Sequence, residues 1–199
     1  MARTRNEDAY NEARDKLLAV GANLIRSGSY EGVGINDILR EGKIPKGSFY
    51  HYFGSKEDFG IQVAKHYHAE LLESARATLL ESGAPPLERL KNFFQNAYDD
   101  FESRDFSQGC LMCNLTTELA DEEPAFQAVL QANWQELSAV IAACIAGIDK
   151  AVIGLDHLTD SEAADWLLNS WSGALTRMKA TRDGTPLRLF LKSTFKQRK

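Results

Sequence analysis

The sequence is expected to fold as an all-α protein of about nine helices, and three observations carry that expectation. Apolar residues recur at i, i+3, i+4 and i+7 in segment after segment. No stretch alternates apolar and polar residues as a half-buried strand would. Breaks such as Gly83-Ala84-Pro85-Pro86 divide the chain at helical lengths, and no internal repeat is evident.

Met1 to Asn6 reads as a polar arm holding Arg3 and Arg5, either a groove-reaching segment or a solubilising tail. From Asp8 to Arg26, Ala13, Leu17, Val20, Leu24 and Ile25 lie at helical spacing. Gly28 to Gly34 is a loop. Ile35, Ile38 and Leu39 give the next helix its apolar face. The turn at Glu41-Gly42-Lys43 is short enough to force two helices to meet steeply, which is helix-turn-helix geometry. The second of these helices, expected over about Lys46 to Tyr52, turns Phe49 and Phe53 inward. It presents Lys46, Ser48, Tyr50, His51 and Tyr52 outward, donors suited to phosphates or base edges. Ser55 and Asp58 are placed as a capping box for the helix that follows, leaving Lys56 free to reach a phosphate.

That helix carries Phe59, Val63, Tyr67 and Leu71 and is expected to run to about Leu80. Leu87, Leu90, Phe93, Phe94, Ala97, Tyr98 and Phe101 form the stripe of the next. Further helices are expected over about Cys110 to Ala120, from after Asp121 to about Gly147, from Thr159 through Met178, and from Thr185 to near Phe195. Thr159 with Glu162 forms a capping box. Trp166, Trp171, Gly173 and Ala174 mix large and small residues, which permits close approach across a partner as well as internal packing. Half-sites about 34–36 Å apart are read by two-fold proteins, so a DNA-reading amino end implies a homodimer. The last two helices are the best candidates for a four-helix interface.

Composition limits the function classes. The 199 residues are 44% hydrophobic and 26% charged, as in an ordinary soluble protein. No apolar run approaches a membrane span, and no signal peptide heads the chain, so no membrane role and a cytoplasmic location are expected. The net charge of −5 counts against nucleic acid only superficially. Residues 1–60 hold nine basic and nine acidic side chains and are neutral overall, and affinity depends on where cations face. Three cysteines argue against a disulfide framework. G-x-S-x-G, Walker A and H-E-x-x-H motifs are absent, and Gly32-Val33-Gly34 lacks the third glycine and the preceding strand of a dinucleotide site. No enzyme activity and no cofactor are expected.

KGSFYHYFGSKEDF resembles the DNA-binding signature of the TetR family of bacterial repressors, closely from about Ala13 to Phe59 and diffusely beyond. The resemblance implies a three-helix operator-binding domain, here residues 1–54, and a larger dimerising domain with an inducer pocket, residues 55–199. Carried over by position, Lys46, Ser48, Tyr50, His51 and Lys56 would face double-stranded operator DNA, with Asn36 a further candidate. Two departures stand out. Gly34 replaces the usual Ser or Thr cap, and Pro45 sits where Ser or Thr is common, though proline suits a first helical turn.

Cys110-Leu111-Met112-Cys113 is the other informative stretch. Gly109 permits a sharp entry, and a cysteine at a helix N-terminus is biased toward thiolate. The C-x-x-C spacing is compatible with a disulfide but makes a poor zinc site, because His66, His68 and His157 supply no matching pair. Without the resemblance, each cysteine is an apolar filler and Lys179 a solvated helix-end charge. GCLMCNLTTELA and WSGALTRMK are similar, however, to the electrophile- and oxidant-responsive, NemR-like subgroup of the family. That resemblance implies Cys110 as sensor, with Lys179 beside it, and leaves open whether Cys113 resolves oxidised Cys110. Cys144, inside an apolar run, reads as core. Tyr98, Asn114, Trp134 and Trp171 are candidate walls of a pocket for a small-molecule inducer, or else core. The expected function is a repressor released by a small electrophile or oxidant. The alternatives are the same repressor with a reversibly bound apolar or acyl ligand and, more distantly, a thiol-dependent enzyme.

Overall fold

The structure is a computed structural model that describes residues 2–121 and 123–195, with side chains from Glu7 onward. Among the described residues there are nine α-helices and no strand, as expected. They are α1 (Ala2–Ser27), α2 (Ile35–Gly42), α3 (Phe49–Tyr52), α4 (Lys56–Arg76), α5 (Pro86–Glu102), α6 (Leu111–Leu119), α7 (Pro124–Ile145), α8 (Asp160–Thr181) and α9 (Thr185–Thr194). A π turn, Ala77–Glu81, closes α4, and a 3₁₀ turn, Lys150–Ile153, follows α7.

Three boundaries differ from the sequence reading. Helix α1 already begins at Ala2, where a polar arm was expected; the side chains of Arg3 and Arg5 lie outside the described residues. Helix α3 is a single turn rather than a helix from Lys46, because Gly47 adopts φ 92°, which no right-handed helix contains. The end of the long fourth helix is widened to π geometry, whose Leu80 carbonyl accepts from Arg89 Nη1 at 3.2 Å.

The chain forms two compact units. The first joins everything up to Ala69 with Cys110–Leu130, so α6 and the start of α7 share a unit with the helix-turn-helix. Its core is aromatic: Phe49, Phe53 and Phe59 are buried with ring centroids 4.9–5.4 Å apart. Gly21 lets α1 approach this cluster, since a Cβ there would lie 2.4 Å from Phe59 Cζ. Gly42 plays the same part against Leu17, while the left-handed turn residue is Lys43, φ 54°. Two polar ties bind α6 to the end of α1 and the loop that follows it. Asn114 Nδ2 donates to the Ile25 carbonyl at 3.2 Å. The Glu118 carboxylate accepts the Tyr30 and Glu31 backbone N–H groups at 2.9 and 2.8 Å.

The caps explain where α2 and α4 begin. Gly34 has no side chain to cap α2, but its N–H donates to Asp37 at 3.2 Å, half of a capping box. Ser55 Oγ accepts the Asp58 N–H at 3.0 Å, while the Asp58 carboxylate turns back to Gly54 N–H rather than to Ser55.

The second unit comprises Glu70–Gly109 and Gln131–Lys199. Phe94 of α5, Trp171 of α8 and Phe190 of α9 form its central triad, with centroids 4.9–5.3 Å apart. The Thr159–Glu162 box caps α8 as expected, with Thr159 N–H donating to Glu162 at 2.8 Å and the Glu162 N–H returning to Thr159 Oγ at 3.3 Å. No helix among the described residues is long and apolar enough to cross a membrane.

Candidate functional site

The helix-turn-helix exposes a compact set of polar groups. Asn36, Lys46, Tyr50 and His51 are exposed, Tyr50 by 68%, while Ser48 and Tyr52 are half-buried. Tyr50 lies edge-on to Phe49, so the buried ring braces the exposed one. Tyr10 of α1 supports the other side. Its ring lies 5.3 Å from His51 and 5.0 Å from Tyr52, and its hydroxyl donates to the His51 carbonyl at 3.4 Å. Lys56 is half-buried, with Nζ 4.7 Å over the Tyr30 ring and 3.3 Å from the Glu31 carbonyl. It is thereby held beside the loop that Glu118 also grips. Five residues of a one-turn helix and its approach therefore present donors from a rigid aromatic base, an arrangement suited to backbone and base-edge contacts.

The thiol site lies in the same unit. Cys110 is the N-cap of α6, in extended geometry at φ −74° and ψ 130°, and is half-buried. Its thiol is pulled down to about 6. The main cause is hydrogen bonding from Cys113, opposed by burial and reinforced by the Cys113 and Met112 amides and by Arg26. Tyr67 of α4 faces the same sulfur. Burial, followed by the charge on Cys110 and a hydrogen bond to it, pushes the phenol well above its ordinary value, so it remains a donor. Arg26, in the last turn of α1, is 6% exposed and lies 5.7 Å over the Tyr67 ring. A guanidinium does not lose its proton on burial, so it demands an anionic or aromatic environment. Cys113 and Tyr67 therefore meet at one sulfur, with Arg26 stacked over the Tyr67 ring. Cys113 is half-buried, and neither cysteine is in a disulfide.

The remaining site candidates fall elsewhere. Asn114, one turn after Cys110, spends its amide on Ile25. Tyr98 is buried in the second unit, donating to Glu102 at 2.9 Å and accepting from Arg188 at 2.8 Å. Trp171 is in the aromatic triad, and Trp134 is half-buried on α7. Lys179 is half-buried in the last turn of α8, in the second unit, whereas Cys110 is in the first. Cys144 is buried, as expected, and donates to the Pro86 carbonyl at 3.4 Å.

Sequence reasoning missed Arg26, Tyr67, Glu118 and Tyr10. The only sequence signal was a basic residue closing an otherwise apolar helix face at Ile25-Arg26. A surface groove also lies along α8 and α9, lined by Trp166, Ala174, Arg177, Leu189, Phe190 and Thr194. Trp166 and Leu189 are 45% and 56% exposed there.

Residues 17–61 match the family described as bacterial regulatory proteins, tetR family, and residues 86–194 match the tetracyclin repressor-like C-terminal domain. The HTH-type transcriptional repressor DhaR of Mycobacterium sp. strain GP1 is 32% identical over 188 residues, 94% of this chain and 92% of that protein. The repressor NemR of Escherichia coli K12 is 34% identical over 121 residues, 58% of each chain. The crystal structure of reduced E. coli NemR superposes with a TM-score of 0.79 at 25% identity, covering 92% of this chain and 95% of that one.

Proposed function

The chain belongs to the TetR family of bacterial transcriptional regulators, and on that premise we propose that it is a homodimeric repressor released from its operator by a small electrophile or oxidant acting at Cys110. It is a DNA-binding regulator rather than an enzyme. Residues 1–54 read the operator in the cytoplasm, and residues 55–199 hold the sensor and the dimer face. Lys46, Ser48, Tyr50 and His51 meet the DNA, helped by Asn36, Tyr52 and Lys56. The exposed Trp166 and Leu189 on α8 and α9 support pairing of that face with a second copy.

The observation that supports the sensing role is a helix N-cap sulfur hydrogen-bonded by Tyr67 and Cys113, with Arg26 over the Tyr67 ring. A thiolate attacks the β-carbon of an unsaturated carbonyl. The S–C bond forms, the C=C pair moves onto oxygen as an enolate, and water returns a proton to carbon. A two-electron oxidant instead gives a sulfenic acid, which condenses with the Cys113 thiol to a disulfide with loss of water.

Treating the protein with an unsaturated aldehyde, then reading intact mass and operator binding together, tests the proposal. One adduct at Cys110 should coincide with loss of binding, and Cys110→Ser should be unresponsive. A Cys110→Ser protein that still responds in full would leave reversible binding of an apolar or acyl ligand as the mechanism.

A further inference from the structure

Helix α6 falls inside the stretch that matches the C-terminal domain family, residues 86–194, yet it packs in the unit that holds the helix-turn-helix. It grips that unit through Asn114 and Glu118, which stand at i and i+4 on one helix face. Asn114 Nδ2 donates to the Ile25 carbonyl near the end of α1. The Glu118 carboxylate spans two consecutive loop amides, taking the Tyr30 N–H on Oε2 at 2.9 Å and the Glu31 N–H on Oε1 at 2.8 Å. A carboxylate held at two points by backbone donors fixes direction as well as distance. The same two loop residues are held from the far end of the helix-turn-helix. Lys56, the first residue of α4, donates from Nζ to the Glu31 carbonyl at 3.3 Å and lies 4.7 Å over the Tyr30 ring. Tyr30 is buried, with its ring edge-on to Phe126 at 5.3 Å beside the bare Cα of Gly60. Tyr30 and Glu31 thus sit just ahead of α2, which begins at Ile35, and touch the helix that follows α3.

We infer that Glu118 is a positioning residue for operator binding: by clamping Tyr30 and Glu31 it fixes the pose of α2 and α3 against the DNA, with Lys56 closing the clamp at the other end. Its carboxylate is spent on the loop and would repel a phosphate, so it acts through those helices and not on the DNA. The consequence falls on sequence choice. Phosphate contacts supply most non-specific affinity and tolerate a small change of pose, whereas base-edge contacts depend on it. A loosened clamp therefore erodes discrimination before it erodes affinity for DNA in general. This rests on the assignment of α3 and its approach to the DNA, and is independent of what happens at Cys110.

The test uses the full-length protein and two duplexes, one selected from a random library by the unmodified protein and one of scrambled sequence. Glu118→Gln keeps the length of the side chain but offers an acceptor to only one of the two amides. At a temperature where circular dichroism shows it as helical as the unmodified protein, it is expected to bind the selected duplex about tenfold more weakly, the worth of about one base-edge contact. On the scrambled duplex the loss should be no more than about twofold. Equal losses on both duplexes would mean fewer folded molecules and nothing more, and would overturn the inference, as would no loss on either. If Glu118→Gln folds poorly, Glu118→Asp, one methylene too short to reach both amides, carries the same expectation. Lys46→Ala is the reference for the premise. If it weakens binding while Glu118→Gln leaves the ratio of the two affinities unchanged, the clamp fails alone. If neither substitution changes binding, the DNA-reading assignment fails and the clamp with it.

Lys56→Met gives a second arm, keeping the reach of the side chain without its charge. Any phosphate contact that Lys56 makes is lost from both duplexes alike and drops out of the ratio. Two grips on one pair of residues are not independent, so Lys56→Met should lower the ratio less in the Glu118→Gln background than in the unmodified protein. Full additivity would take Lys56 out of the clamp and overturn its two-ended form.

Discussion

Holding Cys110 as a thiolate has a kinetic signature that follows from its environment. With its thiol at about 6, half of Cys110 is thiolate at pH 6. An ordinary thiol near 8.5 is then only about 0.3% ionised. Between pH 9 and pH 6 the reactive fraction of Cys110 therefore falls about twofold, and that of an ordinary thiol roughly 200-fold. Lower basicity costs intrinsic nucleophilicity. With a Brønsted slope of about 0.4–0.5, each Cys110 thiolate is roughly tenfold slower than an ordinary one. The two effects cross near neutrality. At equal access, Cys110 should outrun an ordinary thiol about tenfold at pH 6 and trail it about tenfold at pH 9. The assay is the time course of acrylamide addition, followed by peptide mass mapping at several pH values beside a small thiol. Partial burial lowers every Cys110 rate alike, so the shape of the profile is the readout. A rate that rises tenfold per pH unit from pH 6 to pH 8 would show an ordinary thiol and refute the cluster's effect on it. Stability has a matching sign. The folded chain holds a thiolate that the unfolded chain protonates. That stabilisation is present above the ordinary thiol range and disappears as pH falls through about 6, so it should be missing from Cys110→Ser.

Other outcomes rest on single contacts. Glu118→Gln removes a charge-assisted acceptor shared by two backbone amides, so urea unfolding should show a loss of about 1–2 kcal/mol; unchanged stability would mean those amides are equally satisfied without the carboxylate. In Gly60→Ala the new Cβ would meet Tyr30 and Phe126 atoms at 2.5 and 2.6 Å, and a loss of about 1–3 kcal/mol is expected by thermal unfolding. Leu189→Asp places a charge in the exposed α8–α9 groove, and sedimentation should then find monomers with weak operator binding; a dimer as tight as wild type would move the interface elsewhere. Lys46→Ala should flatten the dependence of log affinity on log salt by about one, since exposed Lys46 is free to release a counterion at a phosphate.

The sequence by itself determined the helical class, the helix-turn-helix and the family, because those depend on information close together in the chain. Apolar spacing around Ile38, Leu39, Phe49 and Phe53 decides which faces are buried, and the Thr159–Glu162 pair marks a helix start from three residues' separation. It also pointed to Cys110, from the glycine before it and the family pattern. Backbone detail was less legible: the positive φ at Gly47, which reduces α3 to one turn, is a property any glycine can adopt and none announces. Only the tertiary structure decided what surrounds the sulfur. Tyr67, with Arg26 over its ring, lies far from Cys110 along the chain and reaches it because α1, α4 and α6 pack into one unit. Likewise, Glu118 has no sequence mark separating it from any solvated helix glutamate, yet it caps two amides almost ninety residues away. Periodicity reports which side of a helix is apolar; it does not say which helix arrives on that side. The charge environment of a half-buried thiol is made by that arrival.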